Sequence, residues 1–329
     1  MVKGSMQLKR VLLIQRRSLG DALYTALIAE VLKRKIPNIS VDFLTLPFAR
    51  DFFEAYLYLD KVIPFKGFWA TLKEIRNQYD AILDYEATFR TYPLVLFSGA
   101  KIRSAFYRKK RERFLYPIYN RMVPVQFFDF TYWDRLKLLE TISVDISDEL
   151  NKLPLWEFKP EIYERYKNIH PFEEYIVISP KGVLPSKELA PEKVRELSLK
   201  LSETFNGKII VAVAPNEVEY IKQLREVLPS NIEIFAKDLI SFTLLLKGAK
   251  LLITIESFPY HLALLLRVPS IVIVQGYDIW FKNLFGLIHP YYPDLDCILC
   301  YRKKHCPYNF KCQWEIDTDK IVEMATKNL

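Results

Sequence analysis

Five stretches of this sequence hold side chains able to do chemistry. The first is Ser18-Leu19-Gly20-Asp21, which follows the apolar run Val11–Ile14 and opens a helical pattern. A carboxylate at Asp21, past the carboxyl end of a buried strand, can accept a proton from a hydroxyl. Gly20 permits an unusual backbone angle or a close approach at the turn. The same position suits a helix N-cap, which Asp fills very often. The second stretch is Ser179-Pro180-Lys181-Gly182 with Ser186-Lys187. Small hydroxyls and a lysine at a helix entry suit a phosphate, although a solvated polar loop has the same composition. The third is Glu256-Ser257-Phe258-Pro259-Tyr260-His261, after the very apolar run Leu251–Ile255. Pro259 fits the first helical position, with Ser257 or Phe258 as cap. The free amides of such a helix start attract a diphosphate. His261 either adds a donor there or is a half-buried histidine satisfied within an apolar helix.

The fourth stretch is Cys297-x2-Cys300-x5-Cys306-x5-Cys312, which contains every cysteine of the chain. Such a cluster can form a small structural zinc site, with His305 as a spare ligand, or a disulfide staple. The spacing is looser than a pair of C-x-x-C motifs. The fifth is the basic run Lys101, Arg103, Arg108, Lys109, Lys110, Arg111 and Arg113, interleaved with Phe106, Tyr107 and Phe114. It reads as a solvated loop or as an anion-binding lip. No nucleic-acid motif accompanies it, so no nucleic-acid partner is expected.

These residues need a scaffold, and the pattern around them is that of alternating strands and helices. Strands are expected at Val11–Ile14, Val41–Leu46, Lys61–Pro64, Ala81–Tyr85 and Ile102–Phe106, with helices at 21–35, 48–56, 71–77 and 133–142. The stretch from Asp145 to Glu173 loses this rhythm and carries Pro154, Pro160 and Pro171, which marks a boundary. The alternation then restarts. Strands are expected at 175–179, 208–213, 232–235, 251–255 and 270–274, helices at 191–203, 217–227, 241–247 and 259–266, and a last helix from Glu315. The fold class implied is α/β, with two Rossmann-like, doubly wound parallel sheets, residues 1–150 and 151–329, that place ligands outside the carboxyl ends of their strands.

Composition agrees with two cores. The chain has 329 residues, 50% of them hydrophobic and 14% aromatic, where about 150 residues is the usual domain. A formal charge of +8 suits acidic small molecules or an anionic membrane face. The nine glycines form no G-x-G-x-x-G, and neither a Walker A pattern nor H-E-x-x-H occurs, which excludes the usual dinucleotide, P-loop and zincin chemistries. Val11–Ile14 is shorter than a signal-peptide core, and no apolar run reaches the ~18 residues of a membrane span. The expectation is a cytoplasmic protein, either free or peripheral on a membrane face.

Taken in order, the pieces resemble the lipopolysaccharide heptosyltransferases, glycosyltransferase family 9, over nearly the whole chain. The carriers are RRSLGDALYTALIAEVLKRKIP, SPKGVLPSKELAPEKVRELS, LLITIESFPYHLALLLRVPSIVIVQG and CILCYRKKHCPYNFKC. Glu256 and Phe258 stand where the family usually has Asp and Gly. The resemblance implies a GT-B enzyme that transfers heptose from ADP-heptose to an anionic lipopolysaccharide inner-core acceptor, with inversion and with no cofactor required for catalysis. It casts residues 1–150 as the acceptor domain, with Asp21 as base and the basic lip from Arg103 to Arg113 facing acceptor. Residues 151–329 bind the donor, with Ser179 and Lys187 at the diphosphate, Glu217 at the nucleoside, and Glu256, Ser257 and His261 at diphosphate and sugar. The alternatives are a relative using another nucleotide sugar and a weakened homologue that binds a nucleotide sugar or glycan.

Overall fold

The structure is a computed structural model that describes residues 8–107, 115, 117–126, 130–169, 174–276, 284–300 and 305–329. It divides into two compact units, Met1–Lys159 and Pro160–Leu329.

The first unit is built on six parallel strands: β1 Arg10–Ile14, β2 Ser40–Thr45, β3 Lys61–Pro64, β4 Ala81–Asp84, β5 Ile102–Tyr107 and β6 Arg121–Pro124. Their order is β3-β2-β1-β4-β5-β6. The second unit holds β7 Tyr175–Ser179, β8 Lys208–Ala212, β9 Glu233–Phe235, β10 Leu251–Ile255, β11 Ser270–Ile273 and β12 Ile288–Tyr291. These are again all parallel, in the order β12-β11-β10-β7-β8-β9. Counted from its own first strand, each sheet therefore reads 3-2-1-4-5-6. The order reverses between β1 and β4 in one unit and between β7 and β10 in the other, and a doubly wound sheet binds ligands at that reversal.

The central strands are apolar without alternation because helices cover both faces. Val11–Ile14 and all of β4, β7 and β10 are buried. The two edge strands that the pattern does not reveal, β6 and β12, are half-exposed and carry Pro124 and Pro290, as edge strands tolerate. β6 means that β5 is not the last strand of its sheet, contrary to expectation. Short helices Tyr92–Phe97 and Pro160–Arg165 were also not anticipated.

The helix expected over 21–35 is two pieces, Leu19–Ala26 and Ile28–Lys35, meeting at Leu27. Near the join the Thr25 hydroxyl bonds the Asp21 carbonyl at 2.9 Å, a side-chain bond that commonly bends a helix. The helix expected over 133–142 is α-helical for Thr131–Leu136 and 3-10 for Lys137–Ile142.

Residues 151–159 pack on the first unit, nine residues beyond the expected boundary. The cause is Trp156, fully buried and stacked on Phe52 and Tyr56 with ring centroids 4.8 and 4.2 Å away. Backbone bonds from Leu57 to Glu157 and from Lys159 to Ala55 fasten the same stretch. Among the described residues no helix is long and apolar enough to cross a membrane.

Candidate functional site

In the first unit the chain leaves β1 through Gln15, Arg16 and Arg17 and enters the helix Leu19–Ala26. Ser18, not Asp21, is the N-cap: its hydroxyl accepts the Asp21 amide at 3.2 Å. Asp21 is the third helical residue. Its carboxylate accepts two bonds, one from the Ser18 hydroxyl at 2.6 Å and one from Arg135 Nη2 at 2.5 Å. Arg135 is 10% exposed and Asp21 43%, so the pair lies half in solvent with its cation underneath. The Arg135 guanidinium also faces the Tyr85 ring at 5.8 Å, and its Nε is buried without a partner. The arrangement fixes the direction of a carboxylate that still meets solvent.

The neighbouring loops are laced together. Arg16 reaches across to Glu86, past the end of β4, through its backbone amide, Nε and Nη2 at 3.2, 3.2 and 3.3 Å. Both side chains are buried, and the guanidinium lies over the Phe65 ring at 4.2 Å. Asp84 ends β4 and accepts the amides of Glu86 and Ala87 and the Tyr119 hydroxyl. Burial pushes its carboxyl upward against the pull of these bonds. Asp84, Glu86 and Arg135 carry no sequence signal of their own, because their partners lie far along the chain.

The same end of this sheet exposes large aromatics. Phe48 follows β2, Trp69 follows β3 and Phe89 follows β4, at 75, 79 and 84% exposure. Lys66 and Arg90 are exposed near Trp69 and Phe89 in sequence, after β3 and β4, and Arg17 is exposed after β1. Of the expected basic lip, Arg108, Lys109, Lys110, Arg111 and Arg113 lie outside the described residues. Arg103 is placed differently from expectation. It is the second residue of β5, near that strand's amino end, and its guanidinium is bonded to the carbonyls of Ile118 and Ala100 at 2.6 and 3.1 Å. Arg103 is thus a tether between β5 and the turn before β6.

In the second unit the loops after β7 and β10 meet. The Lys187 amine donates to the Glu256 carbonyl at 2.6 Å. Gly182 lies between Lys187 and Ser257: a Cβ placed on it would stand 3.2 Å from the Cβ of each. The close approach explains why a glycine occupies that position. Ser257 is the N-cap of the helix Phe258–Leu265, without a side-chain capping bond, and Pro259 is at its second position. The hydroxyls of Ser186 and Ser257 are buried and unpartnered. Ser179 ends β7, buried, its carbonyl accepting the Thr254 hydroxyl at 2.8 Å. His261 is half-buried on the first turn of that helix, 3.9 Å from the Tyr260 ring.

Two expected donor residues are arranged otherwise. Glu256 is 3% exposed, and its carboxylate turns inward to accept the amides of Gln275 at 3.0 Å and Gly276 at 2.7 Å. Burial pushes its carboxyl above the ordinary range, opposed by Lys187 and these amides. It is a strut that joins the end of β10 to the end of β11. Glu217 stands at the start of the helix Val218–Val227 with its carboxylate 3.6 Å from Lys181. Lys181 also pairs with Glu188 and lies over the Tyr220 ring. Glu217 is therefore grouped with Lys181 and not with Lys187.

Cys297, Cys300, Cys306 and Cys312 are free thiols, Cys300 exposed and the others half-buried. All four line one small pocket with Ser186, Gly276, Tyr308, Phe310 and Lys311. The Cys312 thiol is pushed up to about 12, first by burial and then by the thiols of Cys297, Cys306 and Cys300. Among the described residues no group of three or more His, Cys, Asp or Glu side chains stands in metal-holding geometry.

The repeated sheet has counterparts of known structure. The E. coli heptosyltransferase WaaC solved with ADP is 19% identical, with 97% of each chain covered and a TM-score of 0.73. A glycosyl transferase of family 9 from Veillonella parvula DSM 2008 is 16% identical over 97% of each chain, TM-score 0.76. The E. coli ADP-heptose lps heptosyltransferase II is 15% identical over 97% of this chain and 98% of its own, TM-score 0.74. The fold is GT-B, two parallel six-stranded sheets with flanking helices. No curated protein matches the chain significantly by sequence. Residues 68–275 match the model of glycosyltransferase family 9 (heptosyltransferase), and the chain belongs to that family. It is a glycosyltransferase.

Proposed function

We propose that this enzyme moves heptose from ADP-heptose to a hydroxyl of an anionic lipopolysaccharide inner-core acceptor, with inversion and without a catalytic metal. The observation that carries the reading is the shared position of two unlike groups. A half-exposed, directed carboxylate, Asp21, lies past β1 at the reversal of the first sheet. A lysine and a helix start, Lys187 and Ser257, lie past β7 and β10 at the reversal of the second.

In the proposed reaction Asp21 takes the proton of the acceptor hydroxyl as its oxygen bonds the sugar's anomeric carbon. The bond from that carbon to the diphosphate breaks, and the nucleoside diphosphate leaves with the electron pair. Lys187 and the amides of the helix Phe258–Leu265 meet the growing charge. The Ser257 and Ser186 hydroxyls supply further donors. The nucleotide is taken as ADP because WaaC was solved with ADP and heptosyltransferase II is named for ADP-heptose.

The acceptor is taken as an amphiphilic anion because Phe48, Trp69 and Phe89, and likewise Arg17, Lys66 and Arg90, are exposed past the carboxyl ends of the strands of the first sheet. Aromatic tips and cations suit the cytoplasmic face of an inner membrane, where each basic side chain adds about 1 kcal/mol of attraction. The run Arg108, Lys109, Lys110, Arg111 and Arg113 extends the same positive charge in sequence.

A thermal-shift and calorimetry panel of ADP-, UDP-, GDP- and CMP-sugars tests the donor, since a ligand of the folded state raises apparent stability. ADP-heptose should bind and be consumed when an inner-core acceptor is added. Binding of a different nucleotide replaces the donor assignment. Affinity without donor consumption would mark a catalytically weakened homologue that binds the nucleotide sugar.

A further inference from the structure

Between Tyr291 and Ile316 Pro293 is the one fully buried residue among those described, and Leu295, Ile298, Leu299 and Phe310 are half-buried. The regular structure there, among the described residues, is the 3-10 turn Lys311–Gln313. A stretch with so little apolar burial needs another fastening, and small folds obtain it from disulfides or a structural metal. The four cysteines are free thiols that line a common pocket. Thiolates at such spacing are soft ligands suited to a closed tetrahedral zinc site. Lys311 lines the same pocket and offsets the negative charge that a four-thiolate zinc site carries.

The segment is attached at specific points to the elements around Glu256. The Leu299 amide donates to the Gln275 carbonyl at 3.0 Å. The Gln275 side-chain amide donates to the carbonyls of Cys312 at 3.0 Å and Glu188 at 2.8 Å. Gln313 reaches the Pro185 carbonyl at 2.6 Å, and its own carbonyl accepts the Ala190 amide. The cysteine segment thus grips both the loop that presents Lys187 and Gln275, whose backbone amide, with that of Gly276, holds the Glu256 carboxylate.

We propose that Cys297, Cys300, Cys306 and Cys312 bind one zinc ion, and that this ligation locks Gln275 and Gly276 against Glu256. Each ligating thiol gives its proton to solvent as its sulfur bonds the metal. The sulfurs must draw closer than they stand here, and exposed Cys300 has the most freedom to do so. The metal site is independent of the functional reading above; only its effect on nucleotide affinity rests on that reading.

The purified full chain should contain one zinc per chain by elemental analysis. Cobalt(II) in its place should show sulfur-to-cobalt charge-transfer absorption. Cys306→Ser and Cys312→Ser should lose both signals. Should those variants not fold, Cys300→Ser and thiol titration of the wild type report instead, with zinc protecting the four thiols from Ellman's reagent. After chelation, the amides of Gln275 and Gly276 should exchange hydrogen about tenfold faster and recover when zinc returns. ADP affinity, measured by calorimetry, should fall and recover with them. Iron in place of zinc overturns the metal assignment. Absence of metal, with all four thiols reactive in zinc, overturns the site. Bound metal with unchanged exchange at Gln275 and Gly276 overturns the lock. A protein whose exchange responds to zinc but which binds no ADP refutes the donor reading and leaves the lock standing.

Discussion

The two sheets share one strand order, yet the carboxylates at their reversals are used in opposite ways. Asp21, past β1, is 43% exposed and anchored from below by Arg135. Glu256, past β10, is 3% exposed and turned onto two backbone amides. Topology decides where a ligand site falls, because it opens a crevice at the reversal. The immediate partners decide whether an acid there works on a substrate or braces the backbone. A carboxylate directed by a cation and still wetted by solvent can exchange protons. One closed off by amides cannot reach a substrate without leaving them.

The sharpest way to break this contrast is to remove each acid's charge. Asp21→Asn keeps the shape and cannot accept a proton, so turnover should fall by roughly 10²–10⁴, with nucleotide affinity unchanged in calorimetry. Wild-type turnover in that variant would reduce Asp21 to a helix-start residue. Lys187→Ala should come next. A lost charge-assisted contact costs about 1.5–3 kcal/mol, and the loss should appear for the nucleoside diphosphate and not for the nucleoside. Equal weakening of both ligands would move Lys187 away from the phosphates.

Gly182→Ala should act through packing. Its Cβ would meet the Cβ atoms of Lys187 and Ser257 at 3.2 Å, closer than side chains normally stand, so the two loops must part slightly. Overpacking of this kind costs about 1–3 kcal/mol. A lower melting temperature and weaker diphosphate binding should appear together. A variant with only one of these defects would show that the loop contact and the ligand site are separate.

How much of this could be read beforehand follows from burial. β3, β7 and β10 have the ends that their apolar runs indicate. β6 and β12 were hidden because an edge strand needs no continuous apolar run and tolerates Pro124 and Pro290. Asp21 and Lys187 can be singled out in the sequence because each lies in the stretch that follows a buried strand. The cap at Ser18 displaced Asp21 from the role its residue type most often fills. Arg135 was invisible because it lies 114 residues from Asp21. The inward turn of Glu256 is not legible because its partners are backbone amides, which no sequence pattern records. Arg103 belongs in sequence to a charge run, but its place near the start of β5 turns it to two carbonyls.

The smallest expected effect concerns the pH dependence of stability and tests the inward acid directly. Burial holds the Glu256 carboxyl above its ordinary value of 4.5. Between 4.5 and the raised value the folded chain keeps a proton that the unfolded chain has lost. Stability changes with pH in proportion to protons bound by the unfolded state minus those bound by the folded state. That difference is negative here, so the contribution of Glu256 is fully present below about 4.5 and is lost as pH rises through the raised value. Other carboxyls run the opposite way: Glu196 is lowered to about 2 by Lys193 and then Thr318. The raw stability curve therefore mixes both signs, and the comparison must be with Glu256→Gln, which does not titrate. Denaturant midpoints of the two proteins across mildly acid pH should diverge in one direction, with the variant gaining on the wild type as pH rises. A constant difference would mean that the Glu256 carboxylate is as comfortable inside as in water, and the contrast with Asp21 would lose its electrostatic basis.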